Sequence, residues 1–484
     1  MNLATRIQYP KTISSFNGFV TEWLILLTCF GYPFQAMVVL YSGIDSTPIN
    51  LAFRAIYLTM SIYLILWWLF QINPLNKQNW YGSGINILLV VFFLFWVIYG
   101  VRLVYDLEYK GWQLTGYHKY YVYAWAFGCS MIPALAALVN AKNINIKRLT
   151  KNMLFFILLS NLCLAAYLIN IYKYGFQAIF IERVQIFLPG EAQEVKLLPD
   201  ELKKASTVLI NGITLGFYGC LLGIASISYF LFYQRKLSIW STFFLTAAFL
   251  LGVFNLMAGA SRGPFLSFVL LFTIVVLVSI LITLFRIVYF LYLKIRVKVT
   301  GMRPNVFFQL RFKPVVYKMM MTFLGLLLIF TLFNFAKERT NIDFDQLGMS
   351  TRIKSMQEFK NDGTIAERVS MWKSAMHQFK TNPIFGDSFI NNFGNLYSHN
   401  LIMDVLMSVG IVGSIPFFIY LLSPFYYFIR LPAEKKRAIS VLFVVFLAAL
   451  MLYMTSGGLF TAAEFWILSA AVIGISQQYL KLET

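Results

Sequence analysis

Apolar runs of about 20 residues recur from one end of this chain to the other, and each is long enough as a helix to cross the hydrocarbon of a bilayer. That repetition leaves few folds open. Of 484 residues, 59% are hydrophobic and only 12% charged, far more apolar length than a soluble core could bury. The expected fold class is all-α: a polytopic helical membrane protein forming one integral membrane domain over residues 1–484, with a large extracytoplasmic loop that contains short helices.

Hydropathy and flanking charges mark about twelve spans. They run over residues 19–42, 53–72, 85–105, 121–140, 152–172, 207–233, 239–258, 264–292, 319–336, 399–428, 438–456 and 461–479. The first 18 residues are polar and show no apolar core followed by a cleavage site, so no removable signal peptide is expected. With an N-terminus bearing Arg6 and Lys11 placed in the cytoplasm, every short basic cluster falls on that side: Lys142, Lys147, Arg148 and Lys151, then Arg235 and Lys236, then Arg430, Lys435, Lys436 and Arg437. Asp106, Glu108, Glu367 and Asp387 fall on the other. Both termini are therefore expected in the cytoplasm, and the long loops 173–206 and 337–398 outside.

The net charge of +20 would point to nucleic acid in a soluble protein. Here it follows the positive-inside pattern, and no nucleic-acid module is implied. The four cysteines, Cys29, Cys129, Cys163 and Cys220, lie in apolar runs without metal-ligand or disulfide spacing. No Walker loop or dinucleotide fingerprint occurs.

The longest polar interruption with chemistry in it is Arg368 to Gly413. Thr364 and Glu367 have capping-box spacing, so a helix should start near Ile365 and stop before Pro383. Ile365, Val369, Trp372, Met376 and Phe379 form an apolar stripe, with Arg368 at its edge where it can reach lipid head groups. Position alone favours a snorkelling arginine there. Arg262, in Gly259-Ala260-Ser261-Arg262-Gly263-Pro264, is different, because a lone arginine on the outer side runs against the charge bias and calls for an anionic partner, or for a salt bridge to Glu464. His399 opens the tenth span in Tyr397-Ser398-His399-Asn400, and its ordinary pKa of about 6.5 suits proton transfer. On a helix Asp404 would lie about 140° round from His399, with Asn400, four residues earlier, on the face of Asp404 instead. Arg102 and Asp106 have the spacing of an internal ion pair with a share in a polar cavity. Asp343-Phe344-Asp345 looks like a metal-binding acid pair, but its outside location removes the nucleotide sugar such pairs serve, and no metal is expected.

Taken in order, Ser261-Arg262-Gly263, the Arg368-to-Trp372 helix, Asn382-Pro383-Ile384-Phe385-Gly386, Tyr397-Ser398-His399-Asn400 and Gly410-Ile411-Val412-Gly413 resemble the O-antigen polymerase/ligase superfamily. Ser388 departs from the pattern, where many members have a second glycine. The resemblance implies a metal-independent, inverting glycosyltransferase of the bacterial inner membrane with its active site facing the periplasm. No cofactor is implied. The donor would be an undecaprenyl-diphosphate-linked oligosaccharide and the acceptor another glycan, with a chain-length regulator and a flippase as partners. It makes His399 the base and puts the diphosphate on Arg262 and Arg368, with Tyr397, Asn400, Arg102 and Glu464 as supporting residues. A polymerase is favoured over a ligase acting on lipid A core because two long outer loops leave room for two glycans. A glycolipid flippase or exporter would also want outward arginines but not His399, and a membrane scaffold would need neither.

Overall fold

Apolar side chains at every turn force these segments to satisfy their backbone internally, and in the computed structural model each expected span that can be followed is a helix. The structure describes residues 11–42, 46–71, 84–112, 118–172, 212–232, 238–259, 261–300, 363–394 and 397–481. The helices are α1 (Lys11–Phe30), α2 (Tyr32–Ser42), α3 (Ser46–Gln71), α4 (Gly84–Val104), α5 (Lys119–Asn143), α6 (Ile146–Tyr172), α7 (Gly212–Phe232), α8 (Ile239–Gly259), α9 (Arg262–Thr300), α10 (Gly363–Thr381), α11 (Leu401–Arg430), α12 (Ala433–Thr455) and α13 (Ala463–Lys481). Among the described residues, nine helices are long and apolar enough to cross a membrane, or up to ten if the bent pair α1–α2 is one span. The protein is thus an all-α polytopic membrane protein. The expected span at 319–336, the loop 173–206, residues 337–362 with Asp343 and Asp345, and the basic segment 301–318 lie outside the described residues.

Besides the tenth, two spans depart from the straight helices expected of them. The first bends by 64° where Gly31 and Pro33 meet, because proline lacks the N–H that would continue the ladder. The fourth contains a π-helical stretch, Ala124–Met131, and a second π turn, Tyr105–Tyr109, extends α4. Helices α7 and α8 lie unusually close: a Cβ on Gly252 would stand 2.7 Å from the backbone N of Gly223, the small-residue packing by which membrane helices adhere. The same packing recurs at the end of α8, where a Cβ on Gly259 would stand 2.6 Å from Gly216 N just before the Ser261-Arg262-Gly263 turn.

The centre of the bundle is aromatic. Phe92, Phe95, Trp96 and Tyr99 of α4, Phe417 and Tyr420 of α11, and Phe465 and Trp466 of α13 are all buried, with Trp466 stacked on Phe95 at 5.3 Å and tilted against Trp96 at 5.0 Å. Above this plug, the C-terminal ends of α4 and α12 and the N-terminal ends of α9, α11 and α13 gather at one end of the bundle.

Candidate functional site

At that end the tenth span is broken rather than continuous. Gly410 sits inside α11 at φ 58°, ψ −157°, which an L side chain would resist. The break frees backbone groups, and the Pro383–Ser388 loop takes them up: Ile411 N donates to Pro383 O at 2.8 Å, Val412 N to Ile384 O at 3.1 Å, and Asp387 N to Met407 O at 2.8 Å. Gly386 (φ 72°) faces the break so closely that a Cβ there would stand 2.5 Å from the Ser408 carbonyl, and one on Gly410 would stand 2.5 Å from Gly386 N. The two glycine motifs are therefore one structural unit.

Arg102 fastens the same loop. Its guanidinium donates to the carbonyls of Phe385, Gly386 and Asp387 at 2.8–2.9 Å and lies 3.7 Å from Asp106. Asp106 is fully buried and accepts from Phe389 N at 2.9 Å, while Lys110 bridges Asp106 and Asp387. The expected ion pair of Arg102 and Asp106 is present, but its donors go to protein carbonyls, so it braces the loop instead of opening into a polar cavity.

Helix α10 turns differently from the expectation. The residues facing inward are Met371, Ala375 and Gln378, whereas Val369 is exposed and Trp372, Met376 and Phe379 are half-buried. The loop beside it supplies the reason: its backbone needs polar partners, and Gln378 gives one to Ile390 O at 3.0 Å and accepts from Asn392 N at 3.0 Å. Arg368, three residues before Met371 and seven before Ala375, lies on that inward line rather than at the lipid edge.

His399 stands two residues before α11 with φ 57°, the one described non-glycine residue in the left-handed region. Its ring packs edge-on to Tyr397 at 4.6 Å, and its Nδ1 is buried with no hydrogen-bond partner among the described residues. Burial, and then the charge of Arg368, lowers the imidazole from its ordinary value to about 4. At neutral pH His399 is uncharged and able to accept a proton. Asn400 caps α11, accepting from Ile402 N and Met403 N at 3.1 Å, and donates to Met454 O at 3.0 Å. The next two residues, Thr455 and Ser456, meet Gly263: a Cβ there would stand 2.7 Å from Thr455 Oγ1. One short segment, 454–456, thus joins the His399 turn to the Arg262 turn.

The chain matches no family model and no curated sequence. Its site must be read from its own geometry. The structure brings His399, Arg368, Tyr397, Asn400 and the Arg262 turn to one corner. One oxygen of Glu464 accepts a hydrogen bond from the Tyr453 hydroxyl, which also lies 3.1 Å from Thr461 O, and so links α13 to α12.

Two elements of the corner escape the sequence reading. Asp404, on α11, is related to His399 by no helical angle, because His399 lies outside the helix at positive φ; it is buried and accepts from Ser398 N at 2.7 Å and Leu459 N at 3.0 Å. The signal was present, since a carboxylate inside a span marks a site by default. The other is the 456–462 connection, whose Gly458 lies under the Tyr397 ring and whose Phe460 carbonyl accepts from Ser130 at 3.1 Å.

Proposed function

We propose that this protein is an inverting glycosyltransferase acting at the outer face of a bacterial cytoplasmic membrane, and specifically a surface-polysaccharide polymerase of the O-antigen polymerase/ligase type. The observation that carries the reading is an uncharged histidine, held in a left-handed turn beside Arg368 and joined through residues 454–456 to the Arg262 turn. A base beside Arg368, with a second arginine carried by the adjoining turn, fits what transfer from a lipid diphosphate needs.

In that reaction the acceptor hydroxyl attacks the anomeric carbon of the donor glycan while His399 takes its proton. The bond from the anomeric carbon to the diphosphate oxygen breaks with inversion, and the negative charge grows on the leaving diphosphate. Arg262 and Arg368 stabilise that charge, since guanidinium pairs with phosphate bidentately and keeps its proton. An apolar groove of about 530 Å³, lined among others by Phe93, Trp96, Val97, Val101, Tyr105 and Phe127, opens on the flank of α4 and α5. One wall belongs to the π-helical stretch hydrogen-bonded to Phe460 through Ser130, so a polyprenyl tail could lie along it near the 456–462 segment.

Purified protein in nanodiscs, given undecaprenyl-diphosphate repeat units, should yield a ladder of longer lipid-linked glycans. A single transfer to lipid A core would identify a ligase, and substrate movement without new glycosidic bonds a flippase. His399→Ala should abolish turnover and leave donor binding in place; undiminished turnover would remove His399 from the role of base.

A further inference from the structure

Asp404 is the fully committed acid at this corner: buried, and spending both carboxylate oxygens on backbone N–H groups of different segments. One oxygen accepts from Ser398 N, the residue directly before the left-handed His399. The other accepts from Leu459 N, in the connection whose Gly458 supports the Tyr397 ring, which in turn packs on His399. The same residue's own backbone closes the first turn of α11, its N–H donating to Asn400 O at 2.9 Å and its carbonyl accepting from Ser408 Oγ.

A non-glycine residue at positive φ costs about 1–2 kcal/mol and persists only where its surroundings impose it. Three restraints do so here. Ser398 is pinned by Asp404 in front, Asn400 is pinned to Met454 behind, and the Ser398 hydroxyl closes the turn across His399 by donating to Asn400 O at 2.9 Å. Of the three, only Asp404 also holds Leu459, next to the Gly458 that backs the Tyr397 ring packed on His399. A carboxylate serves both N–H groups at once, whereas an amide offers one acceptor oxygen and turns its NH₂ towards the second donor.

We infer that Asp404 is a positioning residue for His399: it holds the left-handed turn and the Gly458–Leu459 floor in register, and so aims the imidazole at the reacting hydroxyl. The inference rests on the glycosyltransferase reading for its kinetic arm, and its structural arm stands apart from it. The chain has three histidines, so protein labelled with ¹⁵N at histidine gives three sets of ring signals, of which His399→Ala identifies one.

The test compares wild type with Asp404→Asn in nanodiscs. The His399 ring signals should shift while those of His118 and His377 stay, and kcat for chain extension should fall roughly 10- to 100-fold with the KM for donor little changed, as a small misplacement of a base does. Asp404→Glu keeps both acceptor oxygens and should recover part of kcat and of the native His399 signals. Should the Asn variant not fold, the Glu variant takes its place, with intermediate values of both readouts expected. Unmoved His399 signals with wild-type kcat would overturn the inference, as would equal loss of kcat and donor binding with His399 unmoved. A wild-type protein that makes no glycosidic bonds would instead defeat the glycosyltransferase reading, while the ring signals would still report whether Asp404 sets His399.

Discussion

On the proposed glycosyltransferase reading, His399 is a base of unusually low proton affinity, and the two are reconciled by what the substrate would bring. In the free protein, burial and the neighbouring Arg368 hold its pKa down to about 4. The active form is the unprotonated one, so kcat/KM, which reports the free enzyme, should stay level as pH falls through 6 and drop only near 4. A bound diphosphate offsets the charge of Arg368, which raises the imidazole's affinity for a proton as the donor seats. The acid limb of kcat, which reports the complex, should therefore lie at higher pH than that of kcat/KM. Arg368→Gln removes the positive neighbour and should move the kcat/KM limb upward, with slower transfer. Coincident limbs near 6.5 in wild type and variant would show that Arg368 does not act on His399.

At the scale of elements, the clearest unit is the broken span. The Asn382–Gly386 turn and the Gly410–Gly413 run stand out in the sequence, but as two separate motifs, because nothing in a linear pattern says that one loop fills the other's missing hydrogen bonds. Helix positions were legible to within a few residues: 85–105 against Gly84–Val104, and 239–258 against Ile239–Gly259. Continuous apolar runs report length well. They report poorly which face points inward, as α10 shows, because in a membrane the apolar face can look outward while Gln378 serves the loop within. For the same reason Arg102 read as part of a polar cavity, although its partners are three carbonyls distant in sequence. Gly410→Ala should place a Cβ against Gly386 N and Ile384 O in a disfavoured conformation, and a loss of several kcal/mol is expected for a backbone clash of this kind. Arg102→Ala should cost roughly 1–3 kcal/mol, because it removes the donor of three loop carbonyls while Lys110 and Phe389 N still hold Asp106. Thermal unfolding in detergent followed by tryptophan fluorescence checks both, and a wild-type midpoint for Gly410→Ala would count against the interlock.

For the molecule as a whole, function turns on which side the His399 corner faces. The gathering of α4, α9, α11, α12 and α13 ends makes that corner a single end of the bundle, and the basic residues Arg430, Lys435 and Lys436 stand at the far end of α11 and the start of α12. A lipid-diphosphate glycan reaches an enzyme from the outside once flipped, so the reading requires the corner outside and the basic end in the cytoplasm, the direction that the positive-inside rule also gives. The native cysteines lend themselves to the test, since Cys29, Cys129 and Cys220 are buried and only Cys163 is partly open. In a Cys163→Ala background, Lys373→Cys on the exposed side of α10 should react with a membrane-impermeant maleimide added to intact spheroplasts. Glu434→Cys, exposed at the other end, should react only after the membrane is opened. The reverse pattern would turn the protein over, place His399 among cytoplasmic nucleotides, and end the polymerase proposal whatever its residues look like.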